Sequence, residues 1–210
     1  MGLATLADVL PQLVPGDARS ALAVADLGHV ELLTPEETEV VARAVPARQA
    51  EFATGRMLLR QLLAACGHHD VVSIGRQPNG APRLPEGFCA SLAHSTGVVA
   101  AVARCAGVRL GLDIERRRLL TASDAEVIVH AHDDVDDPFD AFVAKEAIYK
   151  SWSTPERPML EHHDIGVRCS GGHFMAIVHD DGSRFEGRLA DASGPDGSPF
   201  VVAVAQALPM

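Results

Sequence analysis

A chain of 210 residues, 47% hydrophobic and 22% charged, can bury a core as one domain or as two small halves. Its formal net charge of −10 argues against general nucleic-acid binding, which needs a basic footprint, and no apolar stretch approaches membrane-spanning length. The cysteines, Cys66, Cys89, Cys105 and Cys169, are scattered, which suits reduced thiols and offers no thiolate pair for a metal.

The opening segment MGLATLADVLPQLVPG has no basic n-region, and Leu6 breaks a myristoylation pattern, so a cytoplasmic protein is expected. Residues 20–33 read as strand and loop. TPEETEVVARAV then reads as a helix, with Thr34 as cap, Pro35 in the first turn and Glu37 completing a capping box. PARQAEFATGRMLLRQLLAACG is a strong amphipathic helix: Phe52, Leu59, Leu62 and Leu63 share its buried side, and Gly67 ends it. Arg48, Arg56 and Arg60 recur at spacings of eight and four, so they share one face.

Beyond residue 70 prolines and glycines punctuate short β-rich runs, as in an antiparallel sheet with tight loops. GVVAAVAR and VRLGLDIE read as two strands turning through Ala106-Gly107. DDPFDAFVAKEAIYKSWS is the second convincing helix, capped by Asp136 or Asp137 with Pro138 in its first turn. HFMAIVHD, SRFEGRLA and FVVAVAQAL read as strands. The expected class is mixed α/β (α+β). A long helix packs on a small antiparallel sheet in each of two halves, residues 1–106 and 107–210.

GLDIE, residues 111–115, puts Asp113 and Glu115 on one face of a strand, because strand side chains alternate. Gly111 thins that strand where something approaches closely. Alone, a D-x-E pair is usually an exposed polar face. KEAIYK, in the following helix, holds both lysines of the chain; every other basic residue is arginine. Glu146 and Lys150, one turn apart, would ordinarily be a surface pair worth about 0.3–0.5 kcal/mol. Convergence of the helix on the strand changes that. Asp113, Glu115 and Glu146 form an all-oxygen set that suits Mg²⁺, with Mn²⁺ as an alternative. Lys145 and Lys150 then read as ammonium clamps on a phosphate, compact point charges where a guanidinium fork would not serve. Ahead of them, NGAPRLPEG makes a rigid turn, followed by Ser91, His94 and Ser95. Beside the other parts His94 can donate to a phosphate.

Two patterns are decoys. DDVDD, residues 133–137, fits an aspartate-rich diphosphate motif, but that chemistry needs a large all-helical cavity; a helix-capping acidic loop is the better reading. His68-His69, His162-His163 and His130-x-His132 invite a zinc reading, yet adjacent histidines point apart and no ligand completes a tetrahedral set.

The series G-x-P-x-x-P, S-L-x-H-S, G-x-D-x-E and F-x-x-K-E-x-x-x-K, from about residue 25 to about 180, resembles the 4′-phosphopantetheinyl transferases, in the branch of surfactin-type enzymes and enterobactin synthase component D. The resemblance implies two similar halves about a pseudo-twofold axis, with coenzyme A in the cleft between them. It implies that Asp113, Glu115 and Glu146 hold Mg²⁺ on the pyrophosphate and that Lys145 and Lys150 neutralise phosphate oxygens. Arg48, Arg56 and His94 would surround the nucleotide's phosphates. Arg76 would stand near the adenosine, and Ser91, Leu92 and Ala93 would line the adenine end. The implied reaction moves phosphopantetheine to a serine of an acyl or peptidyl carrier protein and releases 3′,5′-adenosine bisphosphate. Glu146, directly or through water, would take the serine proton. The chain departs from the pattern at PRLP and at Phe142, where relatives carry tryptophan.

Carrier domains present an acidic helix, which a −10 enzyme repels unless local charge prevails; Arg116 to Arg118, just after the metal strand, are the expected docking residues. The carrier would belong to fatty-acid, polyketide, nonribosomal-peptide or siderophore synthesis. Two fused halves lead us to expect a monomer. The rival readings are a non-catalytic coenzyme A-binding module of the same fold and a small Mg²⁺-dependent phosphohydrolase.

Overall fold

Two antiparallel sheets organise the chain, which a computed structural model describes over residues 3–70, 72–105 and 107–209. The first sheet contains β1 (Arg19–Val24), β2 (Phe88–Ser95) and β3 (Val98–Cys105) in the order β1-β3-β2. The second contains β4 (Leu110–Arg116), β5 (Ile165–Ser170), β6 (His173–Val178), β7 (Arg184–Ser193) and β8 (Pro199–Ala207) in the order β4-β8-β7-β6-β5. The α+β class expected from sequence is the observed one.

Strands β3 and β8 are buried on both faces, which explains their continuous apolar runs. Val99, Ala101 and Ala103 of β3 face α3 (Pro46–Ala65), in a cluster with Leu58, Leu59, Leu62 and Leu63. Val201, Ala203 and Ala205 of β8 face α5 (Pro138–Trp152). The alternate residues of both strands meet α1 (Leu6–Leu13) in a core common to the two sheets. Each half thus has one long helix, as expected, but α1 lies against both. Its N-cap residue Thr5 bridges to Ser193 near the far end of the chain.

The two shorter helices are capped by local chemistry. Thr34 and Glu37 close a capping box on α2 (Pro35–Val41), as the sequence indicates. The same device at Thr121 and Asp124 starts α4 (Ala122–Ile128). Asp137 caps α5, accepting from the Phe139 amide at 2.8 Å.

One strand pairing differs from expectation. β3 and β4 do not form a hairpin; β3 pairs with β1 and β2, whereas β4 leaves to pair with β8. Of the expected Ala106-Gly107 turn, Ala106 lies outside the described residues. Side chains join the sheets instead. The Ser91 hydroxyl accepts from the Leu112 amide at 3.0 Å and the Ser95 hydroxyl from the Arg116 amide at 3.3 Å. These bonds run β2 and β4 side by side and set the floor of a cleft whose walls are α3 and α5. Among the described residues no helix is long and apolar enough to cross a membrane.

Candidate active site

The cleft encloses a cavity of about 610 Å³. From β4 come Asp113 and Glu115, and from α5 come Glu146, Tyr149 and Lys150. The opposite wall is α3, with Arg48, Glu51, Phe52 and Arg56. Arg76 and Asn79 enter from the loop before β2, and Ser91, Leu92, Ala93 and His94 from β2 itself. A second cavity, of about 470 Å³, lies on the outer face of the second sheet and contains none of these groups.

The close approach anticipated at Gly111 is that of α5. A Cβ at this position would sit 1.8 Å from the Ala147 carbonyl oxygen and 2.7 Å from the Ser151 amide nitrogen. Helix and strand therefore touch backbone to backbone, which draws Lys150 down onto Asp113: Lys150 Nζ donates to Asp113 Oδ1 at 2.6 Å.

Asp113 is 4% exposed. Burial raises its pKa to about 6; the Lys150 ammonium pulls it down, and the Glu115 and Glu146 carboxylates push it up again. Its other oxygen, Oδ2, is buried without a hydrogen-bond donor. A buried anionic oxygen with no partner is an expensive feature, and a cation would relieve it. Glu115 Oε2 accepts from the Ser95 hydroxyl at 2.9 Å, and Glu146 Oε1 lies 3.3 Å from His162 Nε2. Among the described residues no three His, Cys, Asp or Glu side chains already enclose a common centre. Magnesium takes few protein carboxylates and completes its shell with water and substrate phosphate, so an all-oxygen set around a partnerless Asp113 oxygen fits it.

Across the cavity the charge is positive. The Arg56 guanidinium stacks 4.1 Å over the Phe52 ring, and its Nε is buried with no acceptor. Burial lowers the Arg56 pKa to about 10, Glu37 raises it, and Arg60, Arg48 and Arg76 lower it further, so it remains a cation. Arg48 donates to His94 Nε2 and lies 3.2 Å from Glu51, which is 3.3 Å from His94 Nδ1. These partners assign a neutral ring with its proton on Nδ1. Burial lowers the His94 pKa, Glu51 raises it, and Arg48 and Lys150 lower it again. Both ring nitrogens are engaged, so a phosphate reaching His94 displaces one partner.

Three basic residues stand elsewhere than expected. Lys145 does not line the cavity. Its ammonium is 0% exposed and donates to Asp133 Oδ2 at 2.6 Å, to Ile128 O at 2.8 Å and to His162 O at 3.0 Å. Lys145 is thus an internal tie, not a phosphate clamp, and Asp133, from the acidic loop, is its counter-ion. Burial would raise the Asp133 pKa, but Lys145 and the Val167 and His130 amides hold it below the usual carboxylate range. Arg117, one of the expected docking residues, is bound by Asp137 at 2.5 Å, Asp140 at 2.6 Å and Asp191 at 2.8 Å. Its charge is spent within the fold, whereas Arg116 and Arg118 are exposed, Arg118 lying 3.6 Å from Asp124. Arg60 likewise leaves the arginine face of α3 to pair with the fully buried Glu37 at 2.8 Å.

Sequence reasoning missed Glu51, Asn79 and His162. Glu51 sits three residues after Arg48, a legible helical pair. Asn79 donates to Ser153 Oγ at 3.1 Å, a contact across 74 positions that no local pattern announces.

The cleft thus sets carboxylates and an ammonium from β4 and α5 opposite arginines from α3. Comparison with known proteins gives the family. Residues 36–104 match the profile of the 4′-phosphopantetheinyl transferase N-terminal domain. The chain is 34% identical to the 4′-phosphopantetheinyl transferase Svp of Streptomyces mobaraensis, over 86% of this chain and 81% of that protein. It is 31% identical to the 4′-phosphopantetheinyl transferase PptT of Mycobacterium tuberculosis, over 87% of each chain. A 33% identity to the 4′-phosphopantetheinyl transferase Npt of Nocardia iowensis covers 56% of this chain. The protein belongs to the 4′-phosphopantetheinyl transferases and is an enzyme of that class.

Proposed function

We propose that the enzyme transfers the 4′-phosphopantetheine of coenzyme A to a serine hydroxyl of an acyl or peptidyl carrier protein and releases 3′,5′-adenosine bisphosphate. The observation that carries this reading is the partnerless Asp113 oxygen, placed in one cavity with Lys150, Glu115, Glu146, Arg48 and Arg56. Asp113, Glu115 and Glu146 would hold Mg²⁺, or Mn²⁺ in its place. The cation would supply Lewis-acid neutralisation of the pyrophosphate and a fixed template.

The residues divide the remaining work. Arg56, Arg48 and His94 bind the nucleotide's phosphates, with Arg76 near the adenosine. Ser91, Leu92 and Ala93 form the wall for the base. Lys150 holds a pyrophosphate oxygen on the side of the bond that breaks. Glu146 accepts the serine proton, directly or through water, as the oxygen attacks phosphorus. Such chemistry asks the protein chiefly to position groups and neutralise charge.

The cavity is built from one chain, so a monomer suffices. The four cysteines are free thiols, which suits the cytoplasm. Arg116 and Arg118 remain the cations that would steer an acidic carrier of a fatty-acid, polyketide, nonribosomal-peptide or siderophore pathway. The two halves, 1–106 and 107–210, would act as the two jaws of the cleft.

Incubation with an apo-carrier, coenzyme A and Mg²⁺, followed by intact mass of the carrier, tests the reading. A phosphopantetheine increment lost on chelation is expected. Hydrolysis of coenzyme A without carrier would point to the phosphohydrolase, and binding without turnover to a non-catalytic module.

A further inference from the structure

Glu146 is not left free on α5. Its Oε1 lies 3.3 Å from Nε2 of His162, a residue of the short turn His162–Asp164 that leads into β5. The His162 ring stands edge-on to Phe142, one helical turn before Glu146, with centroids 5.7 Å apart and planes at 84°. Its backbone is fixed from behind, because Lys145 Nζ donates to the His162 carbonyl at 3.0 Å. The same ammonium holds Ile128 O and Asp133 Oδ2, and Asp133 Oδ1 accepts from the Val167 amide at 2.8 Å. The ring is thus held by Phe142 and its main chain by a buried, fully bonded lysine.

We propose that His162 is a positioning residue for Glu146. It donates its Nε2–H to Oε1 and leaves Oε2 as the oxygen available to the cavity. This rests on reading Glu146 as the base or cation ligand of the transferase site. A glutamate has three rotatable bonds, and a carboxylate free in an open cavity must be ordered at the moment of reaction. A fixed donor on one oxygen removes that cost and sets the direction of the other. The gain is in orientation. The arrangement gives Lys145 a part in the site without contact with substrate: it anchors the residue that orients its own sequence neighbour.

The test compares His162→Ala with His162→Gln, whose amide can replace the Nε2–H donor. His162→Ala should lower kcat by about 10- to 100-fold, the usual cost of removing a partner that orients a liganding group, with KM for coenzyme A within about two-fold of wild type. His162→Gln should recover most of the rate, and both variants should melt near the wild-type temperature. A kcat for His162→Ala within two-fold of wild type would overturn the proposal, as would equal impairment of the two variants. A readout independent of turnover is the long-range ¹H–¹⁵N spectrum of the imidazoles. The His162 Nε2 resonance should report an N–H and should move on Glu146→Gln; an unmoved resonance overturns the proposal whatever the activity. If the resonance moves but wild-type protein transfers nothing to any carrier, the transferase reading fails and the contact stands.

Discussion

Asp113→Asn should stabilise the metal-free enzyme while destroying its activity, and the stabilisation should depend on pH in a calculable way. The Asp113 carboxyl has a pKa of about 6 in the folded protein against an ordinary 3.8. Between those values the folded state binds more protons than the unfolded state, so this group's contribution to stability falls as pH rises from about 4 to about 6 and is flat above. A shift of about two units corresponds to about 3 kcal/mol at pH 7.5 and only about 1 kcal/mol at pH 4.5. The Lys150 ion pair is already counted in that pKa, and an amide mimics the protonated acid in size. The variant should therefore exceed wild type by about 3 kcal/mol at pH 7.5 and by about 1 kcal/mol at pH 4.5, with burial of nearly the whole side chain leaving little solvent screening. Urea unfolding in a chelating buffer at the two pH values measures the difference. A stability gain of equal size at both, or none at either, would refute the argument that burial makes this carboxylate costly. Saturating Mg²⁺ should shrink the gap at pH 7.5, because a bound cation favours the ionised form only in wild type.

Four further substitutions separate structural ties from site chemistry. Lys145→Met leaves Asp133 buried without its counter-ion, both side chains being 0% exposed, and should cost about 3–5 kcal/mol in urea unfolding. Lys150→Met, at a side chain 28% exposed on the cavity, should abolish carrier modification by intact mass. Gly111→Ala puts a Cβ 1.8 Å from a carbonyl oxygen that cannot yield without moving α5. It should lower stability by about 3 kcal/mol or more, visible as a drop in melting temperature. Ser95→Ala removes the donor on Glu115 and the acceptor for the Arg116 amide. It should raise the Mg²⁺ concentration for half-maximal rate about 10-fold, read from a metal titration of the transfer rate.

What the sequence revealed followed periodicity and local capping. The two long helices and the apolar strands β3 and β8 announce themselves by burial pattern, and α2 by its Thr34–Glu37 box. The partner of β4 did not, because strand pairing is a long-range choice: Asp113 is opposite Ala203, ninety positions away, and nothing local in GVRLGLDIE distinguishes that neighbour from the strand just before it. α1 escaped for a different reason. Its Thr5–Asp8 capping box was legible, but Pro11 inside an eight-residue helix argues locally against one, and contact with both sheets supplies what propensity lacks.

The two lysines show where a motif must give way to geometry. Their nearness in sequence suggests a shared role, yet a helix turns about 100° per residue, so positions five apart point about 140° from each other. Positions 146 and 150 differ by only about 40°. If α5 presents Glu146 and Lys150 to the cavity, Lys145 must face away, and the fold shows it among Ile128, Asp133 and His162. A buried ammonium with three acceptors needs a compact head that donates in three directions, which a planar guanidinium does not offer. Lysine in place of arginine at position 145 is thus explained by the shape of an internal site, and at position 150 by the 2.6 Å contact with Asp113 at the floor of the cleft. The residue type is the same, the physical demands are separate, and Lys145→Arg should therefore destabilise the fold where Lys150→Arg should chiefly slow the reaction.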